Sequence, residues 1–265
     1  MNIPTGLSQW LVCPCPPSDS EALQAANFSA FEWQVFLQKN EDGSEEVGVA
    51  SFSEDALDTL PLPFTVPKDS SLDEDAEDFI GGGRYVTQVD NGFLVGFNNG
   101  EWGGSVWWCN PDGSDFYRVS KDQVVGFLHT SVGVIAPQGI SHLSISEGSL
   151  ALFRRDTQGP WISLPFLDLP EAPDAATLED ENTLLLVTTS GLLRVHLESK
   201  RIQVLFWDQF WWCLYPNSVV VTRPGVIYIG MRHGVARVQI KEEGPVVDWL
   251  LPNMDFVNAK AELPF

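Results

Sequence analysis

Residues 85–113 read YVTQVDNGFLVGFNNGEWGGSVWWCNPDG, and the way this stretch divides decides the fold. It holds two short apolar runs, 92–97 (GFLVGF) and 105–109 (SVWWC). A loop of Gly, Asn and Glu separates them, and Pro111-Asp112-Gly113 closes the unit as a turn. Short β-branched and aromatic runs punctuated by Gly, Asn, Asp and Pro specify consecutive antiparallel strands. Nothing in the unit has the length and the 3.6-residue period of a helix. The expected class is all-β.

Downstream the unit recurs. Gly139-Ile140-Ser141-His142-Leu143, Gly191-Leu192-Leu193-Arg194-Val195 and Gly234-Val235-Ala236-Arg237-Val238 share one phrase, and Gly104-Ser105-Val106-Trp107-Trp108 is a looser copy. Apolar strands precede them at 132–136, 184–187, 226–229 and 93–97, and further strands follow the last three at 149–153, 202–206 and 246–251. The glycines stand 35, 52 and 43 residues apart. Periods near 40 made of strand, Gly turn, strand and turn match the blades of a β-propeller. At about 40–45 residues each the chain makes about six blades in a single domain spanning 1–265. Closing the ring buries faces that an open stack would leave wet. Residues 9–13 form a candidate strand that could pair with the last blade. A β-sandwich, or a smaller propeller behind an N-terminal α+β module, is the competing architecture.

The first 79 residues are less regular. Ser18 and Glu21 have capping-box spacing ahead of the helix formers at 21–26, which predicts one short N-terminal helix after Pro16-Pro17. Residues 31–37 (FEWQVFL) alternate as a strand with Phe31, Trp33 and Val35 on one face, Asp42-Gly43 reads as a tight turn, and 47–52 forms the return strand. Residues 41–79 then carry thirteen Asp and Glu against Lys68, a net of −12 out of −21 for the whole chain. The densest piece, 69–78, reads as an acidic loop inserted into the β framework, and Pro61, Pro63 and Pro67 keep the stretch before it extended.

A charge of −21 with a pI of about 4.3 repels nucleic acid and anionic membrane and suits a basic protein partner. No basic n-region and long apolar run open the sequence, and no stretch reaches the ~18 apolar residues of a membrane helix, so a cytoplasmic location is expected. Cys13, Cys15, Cys109 and Cys213 are expected as free thiols, because no Cys/His cluster completes a metal site around Cys13-Pro14-Cys15.

Catalytic signatures are missing from the pattern. His129, His142, His196 and His233 have no metal-ligand spacing, and His142 falls where the other copies carry Arg194 and Arg237. No nucleophile elbow or phosphate loop occurs, and Gly81-Gly82-Gly83 precedes a strand rather than opening a helix. Asn98, Asn99 and Glu101, with Asp90 and Asp180 further off, have the oxygen chemistry of a calcium site, which would make a metal-dependent, lactonase-like or small-molecule-binding propeller. A central ion needs ligands from several blades, and one loop supplies most of these. The expectation is therefore no enzyme, no cofactor and no metal. Trp102, Trp107 and Trp108, and Trp207, Trp211 and Trp212, form two clusters that pack between blades except where they surface as interface anchors.

Residues 94–113 (LVGFNNGEWGGSVWWCNPDG), with weaker agreement at 139–143, resemble a bacterial family of small propeller-like immunity proteins of contact-dependent growth inhibition and related polymorphic toxin systems. The resemblance names no catalytic residue. It implies a protein that binds a basic toxin domain, a nuclease, in a one-to-one complex and occludes its active site. The expected contact residues are Asp69, Asp73, Glu74, Asp75, Glu77, Asp78 and Glu101, with Trp102 and Trp211 as aromatic anchors.

Overall fold

The computed structural model describes residues 7, 10–13, 32–40, 42–52, 63, 82–155, 159–207, 214–223 and 225–252. The N-terminal part contributes β1 (Leu11–Cys13), β2 (Glu32–Lys39) and β3 (Glu45–Phe52). There follow β4 (Gly83–Val89), β5 (Gly92–Asn98), β6 (Gly104–Cys109), β7 (Phe116–Ser120), β8 (Leu128–Thr130), β9 (Gly133–His142), β10 (Ile145–Arg155) and β11 (Trp161–Leu169). The last eight are β12 (Pro173–Asp180), β13 (Thr183–Thr188), β14 (Gly191–His196), β15 (Arg201–Trp207), β16 (Ser218–Arg223), β17 (Val226–Met231), β18 (Gly234–Lys241) and β19 (Gly244–Leu251). The all-β expectation holds. Among the described residues no helix is long and apolar enough to cross a membrane. The helix expected near residues 18–26 lies outside the described residues, as do the acidic stretch 69–78 and Trp211.

The chain groups into two compact units. The first comprises 1–52, 174–196 and 201–265. It holds a five-stranded sheet in the order β1-β19-β18-β17-β16, a sheet β12-β13-β14-β15, and the hairpin β2-β3. Leu11 lies opposite Leu251 and Cys13 opposite Trp249, so residues 11–13 of the candidate strand pair with the last strand. Within the β16–β19 sheet β17 (VIYIGM) is buried at every residue, which is why it reads as an unbroken apolar run instead of alternating. Ile227, Ile229, Ala236, Val238 and Trp249 pack into one cluster with Leu185, Val187 and Leu192. Their sequence neighbours Val226, Tyr228, Val235 and Leu250 pack the opposite way, with Val35 and Val47 of the β2-β3 hairpin. Ser218 ties that hairpin down, its hydroxyl accepting the Val35 N–H at 2.9 Å.

The second unit comprises 53–173 and 197–200. Its two sheets run in the orders β4-β5-β6-β7 and β11-β10-β9-β8, each a meander of sequential antiparallel strands. Adjacent Trp107 and Trp108 point to opposite faces of β6, as strand geometry requires. Trp108 joins Leu94, Val106, Val134, Ala136, Ala151 and Phe153, whereas Trp107 packs with Val95, Phe97 and Cys109. Among the side chains that link the two sheets is Asn91, in the β4–β5 turn, which accepts the indole N–H of Trp108 at 3.1 Å and that of Trp161 on β11 at 2.9 Å.

The sheets correct the repeat. Gly104, Gly191 and Gly234 each open the third strand of a four-strand meander, but Gly139 sits inside β9, the second strand of its own. The matching residue there is Gly148 in β10 (Gly148-Ser149-Leu150-Ala151-Leu152-Phe153), and 149–153 is part of that long strand. The glycines then fall 44, 43 and 43 residues apart. The register supports this alignment. A shift in pairing with the fourth strand falls between Val106 and Trp107, between Leu150 and Ala151, and between Leu192 and Leu193, one or two residues past the glycine each time. Glycine is needed because a Cβ at Gly104, Gly148, Gly191 or Gly234 would stand 2.5, 2.2, 2.3 or 2.6 Å from a backbone carbonyl oxygen. His142 is therefore not the counterpart of Arg194 and Arg237; that position belongs to Ala151.

Candidate functional site

The second unit carries an exposed patch built by two neighbouring turns. The first is the 3-10 turn Gly100–Trp102 between β5 and β6. Its backbone is closed by Asn99 N–H to Gly103 O at 2.9 Å and Trp102 N–H to Asn99 O at 3.1 Å. Asn98 pins it from below, accepting the Gly100 N–H at 3.0 Å and donating to Val124 O at 3.2 Å, and the Gln123 amide donates to Gly100 O. Gly100 takes φ 57, the left-handed conformation open to glycine without strain. So many bonds on a loop fix the direction of its side chains. They leave Trp102 64% exposed, in contrast to its buried neighbours Trp107 and Trp108.

The second is the hairpin turn of β9 and β10. Glu101 Oε2 stands 3.0 Å from His142 Nε2, each side chain a little over 40% exposed, so this contact ties the 3-10 turn to the end of β9. Ile145 is the cross-strand partner of His142, and Glu147 that of Ile140. Directly opposed residues share a face, so Ile145 and Glu147 lie on the side of the hairpin that bears His142. Leu143-Ser144 forms the two-residue turn itself, with Leu143 at φ 54 and 95% exposed and Ile145 52% exposed. The patch is thus apolar at Trp102, Leu143 and Ile145 and acidic at Glu101 and Glu147.

Of the residues expected at a partner surface, Glu101 and Trp102 are brought together here. Asp69, Asp73, Glu74, Asp75, Glu77, Asp78 and Trp211 lie outside the described residues. Leu143, Ile145 and the partnership of Glu101 with His142 were missed by sequence reasoning. The misplaced repeat had assigned 139–143 to the wrong strand, and a turn without Gly or Asn gives little signal. Three of the residues considered for calcium have other partners. Both amide atoms of Asn98 bond backbone groups, Asp90 pairs with Arg155 at 3.0 Å, and Asp180 accepts the Asn182 N–H at 2.8 Å. Among the described residues no group of three His, Cys, Asp or Glu side chains comes together as a metal would require.

No family model and no curated protein matches the chain. Among solved structures it is similar to the computationally designed Ika4 protein, at 9% identity and TM-score 0.39 over 63% of this chain and 90% of that one. A catalytically inactive virginiamycin B lyase from Staphylococcus aureus with quinupristin matches at 15% identity and TM-score 0.42, over 64% of this chain and 56% of the lyase. The extracellular domain of a hybrid two-component system from B. thetaiotaomicron matches at 11% identity and TM-score 0.42, over 80% of this chain and 29% of that domain. Likenesses this partial say nothing of what the chain binds or catalyses.

Proposed function

We propose that this chain is a binding protein that captures a basic protein partner through an acidic surface with aromatic anchors. The observation that carries the reading is Trp102, held outward by a hydrogen-bonded turn beside Glu101. A large aromatic fixed before binding loses little side-chain entropy on docking, and Trp is enriched among the residues that dominate interface energetics. A chain of −21 draws a basic partner toward that anchor, and such steering raises association rates by about 10–10³. With the resemblance of residues 94–113 to immunity proteins, the partner is read as a toxin domain, a nuclease, whose active site is covered in a one-to-one complex.

The same reading takes the 43-residue repeat as a propeller blade of four strands, with the β1–β19 pairing as the ring's closure and the β2-β3 hairpin as part of a further blade. An experimental structure counts the blades. The functional test is co-expression of the tagged chain with the open reading frame beside its gene. Recovery of a basic protein in a one-to-one complex, with loss of that protein's toxicity, supports immunity. A neighbour that neither binds nor harms the cell removes the toxin reading.

A further inference from the structure

Leu143 stands in a conformation and an environment that neither local physics nor burial explains. A two-residue hairpin turn with a left-handed first residue favours Asn, Asp or Gly, and an L residue with a branched side chain costs roughly 1–2 kcal/mol there. A leucine accepts that cost in a core where burial offsets it, yet Leu143 is 95% exposed. Strained residues of this kind gather where a protein binds something. Around it, Ile145 and Trp102 are more than half exposed, and the Glu101–His142 pair fixes the distance between the two turns.

Building on the reading of the chain as a binder of a basic protein, we infer that the β9–β10 hairpin tip is the apolar anchor of that interface, Leu143 inserting into an apolar pocket of the partner while Trp102 and Ile145 flank it. The occupant is a protein surface that presents an apolar pocket rimmed by Lys or Arg. Glu101 and Glu147 are the local acids on the hairpin's His142 face that meet this rim, in a chain carrying 36 acidic against 15 basic residues. A second copy of this chain would bring the same acids against themselves, which charge repulsion opposes.

The test uses Leu143→Asn, because Asn fits the left-handed turn better than Leu and keeps the fold, and p-benzoylphenylalanine introduced at Leu143 or at Ile145 of the full chain as the probe. Irradiation in the native cell is expected to crosslink both positions to one basic protein. The purified partner is then expected to bind Leu143→Asn at least about tenfold more weakly, with thermal stability unchanged or raised. If that partner binds the parent chain and Leu143→Asn alike, the hairpin is no anchor, although the binding function stands. If neither position crosslinks and the chain retains no basic protein, the binding function falls with it. Adducts with lipid or with a second copy of the chain overturn the assignment of the occupant.

Discussion

Arg194 and Arg237 hold the same place in two sheets, the fourth residue of the third strand, yet they reach their carboxylates on opposite sides. Arg194 turns back to Glu179 on the first strand of its sheet, Nε to Oε2 at 2.5 Å and Nη2 to Oε1 at 2.7 Å. Arg237 turns to Asp248 on the fourth strand, where Nε at 2.9 Å and Nη2 at 2.5 Å share one oxygen with the Gln239 amide at 3.0 Å. The fourth strand decides the difference. Opposite Arg237 it supplies Asp248, but opposite Arg194 it supplies Gln203, which offers no charge.

Asp248 is consequently the only charge partner that the hydrogen bonds of the described residues give Arg237. Arg237 is buried and its Nη1 already has no hydrogen-bond partner among the described residues, so removing the carboxylate leaves a buried cation without that partner on the face toward the β2-β3 hairpin. Asp248→Ala is expected to lose about 3–5 kcal/mol of unfolding free energy, whereas the double variant Arg237→Met/Asp248→Ala recovers much of it. Urea titration of the three proteins checks this. A double variant no more stable than the single one overturns the account.

How much of this was legible in the sequence depends on what fixed each feature. The Gly-led third strands were visible because the phrase around Gly104, Gly191 and Gly234 recurs, and the structure supplies its cause, a backbone carbonyl oxygen where a Cβ would stand. Gly148 was passed over because β9 and β10 run past it by three residues each, placing a second glycine, Gly139, directly opposite it. In sequence the two are indistinguishable. Asp42-Gly43 and Pro111-Asp112-Gly113, each followed by a serine (Ser44 and Ser114), were legible as turns. In each the Asp carboxylate accepts the Ser backbone N–H and hydroxyl, and those bonds hold Asp42 and Asp112 below the usual carboxylate pKa. The Glu101–His142 pair was out of reach, since 41 residues separate its members and only the tertiary fold brings them together.

Asn91 links the sheets of the second unit through a single oxygen, so its substitutions should separate by whether they keep an acceptor. Asn91→Ala orphans the Trp108 and Trp161 indole N–H groups and is expected to cost about 2 kcal/mol; Asn91→Asp keeps the acceptor and should cost less. Because both reporters are tryptophans, the loss should also shift the native fluorescence. Equal costs for the two variants would remove the hydrogen bonds from the explanation.

Cys109 is fully buried on β6, and loss of hydration pushes its thiol up to about 11. At pH 8 only about one thiol in a thousand is then ionised, and the thiolate is the reactive species. In a chain carrying Cys13→Ser, Cys15→Ser and Cys213→Ser, Ellman's reagent should find no reactive thiol in buffer and one equivalent in guanidinium. Rapid labelling of the native protein would mean that β6 opens far more readily than its burial implies.

His233 makes stability depend on pH. It occupies the β17–β18 turn at φ 71, and burial lowers its pKa below the ordinary 6.5. The native state therefore holds this ring neutral while the unfolded chain protonates it near pH 6.5. Its contribution is fully present above that pH and is lost as the pH falls through the lower, folded-state value. Carboxylates titrate at still lower pH, so the comparison must be made against a variant that keeps the backbone. His233→Asn does so, because Asn tolerates the left-handed turn. Between pH 7 and pH 5 the melting temperature of the parent should fall more steeply than that of His233→Asn. Parallel curves would show that the imidazole protonates as easily in the folded turn as in the open chain, and the turn would then have to admit water to the ring.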